Sequence, residues 1–226
     1  MEDRSGIRDF DAVAAGWDGC PRRVLLAGAV ARAMQERLPL GPGWRLLDYG
    51  AGTGLLTLHL QPHVGLVIAM DASKGMLEVL AGKVREAGLG NVECRFGDLE
   101  REGPAKDERF DAVVSAMTLH HLREPRAMIK KWAAMLTAGG WLALADLEPE
   151  DGTFHDDPTG IFHHGFAADD LTAWMMEAGL SDVRMETVHR IRKDSPSGAR
   201  EYPVFLATAR KAGAPPASQQ LAAGSL

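Results

Sequence analysis

The stretch Leu46-Leu47-Asp48-Tyr49-Gly50-Ala51-Gly52-Thr53-Gly54 constrains this chain more than any other. A short apolar run ends there in a turn with three glycines, and a helix-like stretch follows to about His59. Gly50, Gly52 and Gly54 allow a tight turn and close approach to a ligand, and a helix starting there aims amide donors at the same space. A second apolar run, 64–71, ends at Asp71, 21 residues beyond Gly50. A carboxylate at that place can accept both hydroxyls of a ribose. The turn and the distant acid together imply a nucleoside ligand, although for any one glycine a simple connecting role stays open.

The rest of the chain repeats this alternation. After 21–38, where Val24, Leu25, Ala31, Met34 and Leu38 recur at helical spacing behind Pro21, strands are expected at 44–50, 64–71, 91–98, 109–117 and 141–148. Helices are expected between them, one starting after Ser73 as cap and ending at Gly88 and Gly90, another over 125–136. Continuous apolar strands separated by helices indicate an α/β fold with a parallel sheet covered on both faces. A helix over 167–180 and two late strands, 182–191 and 202–210, suggest a terminal antiparallel hairpin. The expected organisation is one domain, 1–210, with a polar insertion at 149–166 and a flexible, low-complexity tail at 211–226.

The glycine spacing separates two classes of nucleoside cofactor. A dinucleotide fingerprint starting at Gly50 needs its third glycine where Leu55 stands, which argues against NAD. The run Asp48-Tyr49-Gly50-Ala51-Gly52-Thr53-Gly54 instead resembles the first motif of class I S-adenosyl-L-methionine-dependent methyltransferases, small-molecule type. Asp71, Gly97-Asp98-Leu99 and Phe110-Asp111-Ala112-Val113-Val114-Ser115 match that family's successive strand-end motifs, over about residues 40–210. The resemblance implies a Rossmann-like, seven-stranded, mostly parallel sheet with an antiparallel last strand and helices on both faces. It implies S-adenosyl-L-methionine as cofactor and S-adenosyl-L-homocysteine as product. Its methionine part falls by Gly50 and Gly52, its ribose on Asp71, and its adenine beside Ala72, Asp98 and Leu99. Asp48, Gly54 and Ser115 complete the expected cofactor set.

Methyl transfer from a sulfonium is an in-line displacement, so aligning donor and acceptor supplies much of the acceleration. A phenol, carbon acid or protonated amine also needs a base. His120 and His121, just beyond the fourth strand, are the catalytic candidates, with packing or loop anchoring as the alternative. The insertion carries His155, Asp156, Asp157, His163 and His164 with Phe154, Phe162 and Phe166. Its spacing is no recognised zinc signature, so no metal is expected. His155, Phe162, His163 and His164 are instead expected on the substrate side. Trp17, Arg22 and Arg23 are expected to contact substrate as part of an N-terminal lid, the helix at 21–38 closing the cleft as the resemblance implies; paired arginine hydrogen bonds suit a carboxylate.

Composition narrows the acceptor. A formal net charge of −6 and no RNA-binding appendage disfavour nucleic acid. Ser115-Ala116-Met117-Thr118 stands where an Asn-Pro-Pro-Tyr-like motif would mark methylation of the exocyclic amines of DNA bases or of glutamine amides. No apolar run reaches the length of about 18 residues needed for a membrane span. The two cysteines, Cys20 and Cys94, fit reduced thiols in the cytoplasm. The expectation is a cytoplasmic enzyme acting on a small organic acceptor; the alternatives are an RNA or protein methyltransferase and a noncatalytic cofactor-binding interaction protein.

Overall fold

The computed structural model describes residues 9–103, 107–195 and 198–213. Most of the expected tail, 214–226, lies outside the described residues. Seven strands form one sheet: β1 Arg45–Tyr49, β2 Leu66–Asp71, β3 Val92–Phe96, β4 Phe110–Ala116, β5 Leu136–Leu147, β6 Leu180–Ser195 and β7 Gly198–Lys211. Their order is β3-β2-β1-β4-β5-β7-β6. The pairs joining β1 to β5 are parallel, and β7 runs antiparallel to both β5 and β6. This is the Rossmann-like sheet with an antiparallel last strand. Neighbouring strands order outward in both directions from β1 and β4, so a crevice opens at their carboxyl ends, where α/β folds bind ligands.

Among the described residues five α-helices cover the sheet: α1 Pro21–Arg37, α2 Leu55–Leu60, α3 Lys74–Glu86, α4 Pro125–Met135 and α5 Ala168–Glu177. Two of the starts have a clear local cause. Pro21 takes the first turn of α1, where its missing N–H is not needed, and the Ser73 hydroxyl caps α3 by accepting from the Met76 amide at 3.2 Å. On one face of the sheet Trp132 and Met128 of α4 and Leu171 of α5 pack with Phe110 and Phe205; on the other, Val30 and Met34 of α1 pack with Leu46, Val67 and Leu206. Side chains of this size contribute about 1.5–3 kcal/mol each when fully buried. Among the described residues, no helix is long and apolar enough to cross a membrane.

Three differences from the sequence reading have physical reasons. Strand β5 begins at Leu136, five residues before the expected 141, so Thr137, Gly139 and Gly140 lie in the strand, through an irregular register between Phe110 and Ala112. The late hairpin is longer than expected, because Arg192↔Glu201, Lys193↔Arg200 and Asp194↔Ala199 pair in the polar stretch between the two expected strands. Helix α1 is not a free lid: Leu26, Val30, Ala31 and Met34 are buried, and the helix packs on α2, β6 and β7. The segment laid against α3 is the 3-10 helix Asp11–Gly19, which lies before the stretch 21–38 expected as the lid.

Candidate functional site

A cleft of about 1570 Å³ opens at the carboxyl ends of β1, β2 and β4. Its floor is the turn after β1. Gly50, Gly52 and Gly54 all have positive φ, at +74°, +55° and +83°, which ordinary side chains adopt at a cost. Their reasons differ. A Cβ on Gly50 would stand 2.2 Å from the Thr118 hydroxyl, and one on Gly54 2.1 Å from Leu80 Cδ1, whereas a Cβ on Gly52 would meet no atom within 4 Å. The space kept clear at Gly52 is therefore not filled by protein.

Asp71 closes this turn from the end of β2. Its carboxylate accepts from the Gly52 amide at 2.7 Å and from the Ser73 amide at 2.8 Å. Burial pushes the carboxyl up, and these amides oppose the shift. Both oxygens keep lone pairs for further donors. Asp48, at 1% exposure, accepts from the Thr57 hydroxyl at 2.6 Å, and burial pushes its carboxyl up to about 7. Ala72 and Asp98 line the same half of the cleft. An open glycine, exposed backbone donors and a fixed carboxylate fit a nucleoside cofactor with a vicinal diol.

Three expected cofactor residues fall elsewhere. Gly54 is required by the packing of Leu80, Leu99 is buried in the core, and the Ser115 hydroxyl donates to the Tyr49 carbonyl at 2.8 Å. None of the three lines the cleft. They hold the turn and the strands in place.

The other half of the cleft is built by the segment after β4 and by the insertion. His120 is 1% exposed, and its Nδ1 lies 2.7 Å from Oδ1 of Asp146, which ends the apolar part of β5. Burial alone would raise the Asp146 carboxyl, but His120 beside it holds it below the usual range. His121 Nδ1 donates to the Gly160 carbonyl at 2.8 Å; burial and then the neighbouring His120 push its imidazole down to about 3, so the ring is neutral near pH 7. The His120 and His121 rings lie 4.2 Å apart between centroids, and His155 lies 4.8 Å from His120. Phe10 stands edge-on to His121, and Phe154 edge-on to His155. Met117, a non-glycine residue at φ +55°, turns the chain here, a strain of the kind that collects at ligand sites.

The insertion brings only part of its polar cluster to the cleft. His155 and Phe162 line it, the latter under the Arg123 guanidinium. His163 and His164 do not: His163 Nε2 bonds the Leu122 carbonyl at 3.0 Å and its ring packs on Phe166, while His164 faces outward beside Glu150. Among the described residues, no three His, Cys, Asp or Glu side chains are placed to share a metal ion.

Trp17, Arg22 and Arg23 line the cleft mouth. The Arg23 guanidinium lies 3.6 Å over the Trp17 ring and donates to the Trp17 carbonyl, so it braces the indole. The 3-10 segment is tied down by two acids that the sequence reading passed over. Asp11 accepts from the Ser73 hydroxyl at 2.5 Å and the Gly75 amide at 2.8 Å; Asp18 accepts from the Thr53 hydroxyl and pairs with Lys83. Asp146 was also missed. A single acid inside the apolar run Ala143-Leu144-Ala145-Asp146-Leu147 was its available signal.

Comparison with known proteins agrees with this geometry. Residues 47–144 match the family described as Methyltransferase domain. A demethylmenaquinone methyltransferase of Corynebacterium glutamicum is 36% identical over 164 residues, 65% of this chain and 68% of its own length. An uncharacterized methyltransferase of Schizosaccharomyces pombe is 30% identical over 158 residues, 63% of this chain. The match spans 55% of that protein, about half its length. The solved N-terminal domain of EvdMO1 with SAH bound is similar at a TM-score of 0.59 and 25% identity, covering 80% of this chain and 79% of that one.

Proposed function

The chain belongs to the class I S-adenosyl-L-methionine-dependent methyltransferases, and on that premise we propose that it transfers a methyl group to a small organic acceptor in the cytoplasm. The observation that carries this reading is the continuity of the cleft: the Gly52 and Asp71 half runs directly into a half walled by His120, His121, His155 and Phe154. A noncatalytic binding protein has no need of a reachable acceptor cavity. Carboxylates outnumber lysines and arginines along the lining, which disfavours the RNA reading. The name of the Corynebacterium glutamicum relative also points to a small-molecule acceptor.

S-adenosyl-L-methionine, the cofactor of this family, supplies when bound a methyl group on a sulfonium, which leaves by in-line displacement. The residues of this chain hold and orient. Asp71 would accept the ribose hydroxyls, and the clear space at Gly52, beside Gly50, would receive the amino-acid portion. Ala72 and Asp98 would flank the base. Segment Asp11–Gly19 and the insertion cover the cleft, excluding water from the transferring group. Fixing both reactants at one mouth converts a bimolecular encounter into an oriented one.

Calorimetric titration of the purified protein with S-adenosyl-L-methionine, S-adenosyl-L-homocysteine and NAD tests the reading. Binding of the first two without NAD is expected, followed by methyl transfer to a member of a diverse small-acceptor panel. NAD binding alone overturns it, and cofactor binding with no transfer across the panel returns the noncatalytic alternative.

A further inference from the structure

The acceptor half of the cleft contains a buried acid and a histidine whose arrangement exceeds what packing requires. Asp146 is fully buried at the end of β5, and its carboxylate receives the His120 amide at 3.3 Å, the Leu147 amide at 2.7 Å and His120 Nδ1 at 2.7 Å. The two amides would satisfy an ordinary loop anchor. The imidazole adds something else: with its Nδ1 proton committed to Asp146, the lone pair sits on Nε2, at the opposite edge of the ring. Among the described residues Nε2 of His120 has no hydrogen-bond partner, and the ring lines the cleft. His121, whose Nδ1 is held by the Gly160 carbonyl, makes no hydrogen bond to a carboxylate among the described residues.

We infer that His120, positioned by Asp146, is a general base that takes the proton of an acidic hydroxyl on an sp² carbon, a phenol or enol, as the methyl group is transferred. This assignment rests on the methyltransferase reading and names its acceptor class. The O–H bond breaks and its proton forms a bond to Nε2 of His120. The freed oxygen pair forms the O–CH₃ bond, and the S–CH₃ pair stays on sulfur as a neutral thioether. The positive charge thus passes from the sulfonium to the imidazolium, where Asp146 lies 2.7 Å away to balance it, and the proton then leaves to solvent. A neutral amine brings its own lone pair to the reaction and has no use for this pair. The flanking rings of Phe10 and Phe154, each edge-on to a histidine of the cluster, suit a flat acceptor.

The test uses the full chain saturated with S-adenosyl-L-homocysteine and 4-nitrophenol as probe, at a pH below that at which the free probe ionises. The bound probe is expected to show phenolate absorption in the wild type. H120Q should abolish that band, D146N should reduce the phenolate fraction about tenfold through loss of a charge-assisted partner, and H163Q, outside the cleft, should leave it intact. No phenolate band in the wild type, or an undiminished band in H120Q, overturns the inference. Long-range ¹⁵N imidazole spectra of the wild type give a measurement independent of any variant. His120 should carry its proton on Nδ1 with Nε2 bare, and the reverse tautomer overturns the assignment. Calorimetry with S-adenosyl-L-homocysteine on the same samples separates the two levels. Failure to bind it defeats the methyltransferase reading, whereas binding without the phenolate band defeats only the base and the acceptor class.

Discussion

The Gly52 amide donates to the Asp71 carboxylate across 2.7 Å, tying the glycine turn after β1 to the end of β2. The bond makes the acid part of the turn, so its charge stands at a fixed place in the cleft. Asp71→Ala should weaken S-adenosyl-L-methionine binding at least about tenfold, since a hydrogen bond to a charged group contributes about 1.5–3 kcal/mol. Calorimetry on the folded variant decides it, and unchanged affinity would remove Asp71 from the ribose site.

The glycines of that turn should separate into two phenotypes. Gly54→Ala places a methyl group 2.1 Å from Leu80 Cδ1 at φ +83°, so a stability loss of about 2–4 kcal/mol is expected, with cofactor affinity of the folded fraction little changed. Gly52→Ala meets no neighbouring atom and should cost about 1–2 kcal/mol for its φ alone, while its methyl group enters the clear space and weakens cofactor binding. Denaturant titration and calorimetry on both variants test the contrast, which equal losses in both readouts would defeat.

Asp48 and His121 should impose opposite slopes on stability. The Asp48 carboxyl, raised from 3.8 to about 7, favours the folded state fully below its unfolded value, and that contribution is lost as pH rises through 7. Asp48→Asn should therefore gain on the wild type by roughly 2–3 kcal/mol between pH 5 and pH 8. The imidazole of His121, lowered from 6.5 to about 3, favours the folded state above its unfolded value and loses that contribution as pH falls toward 3. His121→Gln should flatten acid destabilisation by roughly 2–3 kcal/mol between pH 7 and pH 4.5. Denaturation curves at the paired pH values measure both, and parallel pH profiles of variant and wild type would contradict the burial argument.

Asp11 should control the segment over the cofactor half. Asp11→Ala removes the acceptor of the Ser73 hydroxyl and the Gly75 amide. Loss of these bonds, about 1–3 kcal/mol, should raise hydrogen exchange at the Gly75 amide and across Asp11–Gly19 by about fivefold or more. Exchange unchanged from the wild type would show that other contacts hold the segment.

Much of this was readable from residue order, because it is local. The Ser73 cap acts within three residues of where it is written, the glycines permit their turn by their own backbone freedom, and the apolar runs specify strands whatever their neighbours. Those features bring out the sheet class and a nucleoside ligand, and the resemblance of the Asp48–Gly54 motif adds the cofactor class. The placement of Gly54, Leu99, Ser115, His163 and His164 is different in kind. A glycine can serve a ligand or a leucine side chain, and only the position of Leu80 distinguishes the two. His163 and His164 are adjacent to cleft residues in the chain but anchor to the Leu122 carbonyl and Glu150 instead.

The pairing of His120 with Asp146 marks the same boundary most sharply. The amino-acid order supplies both residues, one just beyond β4 and the other near the end of β5, 26 positions apart. Their meeting depends on the register of β4 on β5, in which Ala116 lies beside Ala145 and the Met117 amide bonds the Ala145 carbonyl at 2.8 Å. A shift of one residue would turn Asp146 to the other face of the sheet and leave a buried acid without its histidine. The different partners of the neighbouring histidines, Asp146 for His120 and the Gly160 carbonyl for His121, come from such long-range contacts, which no local pattern encodes.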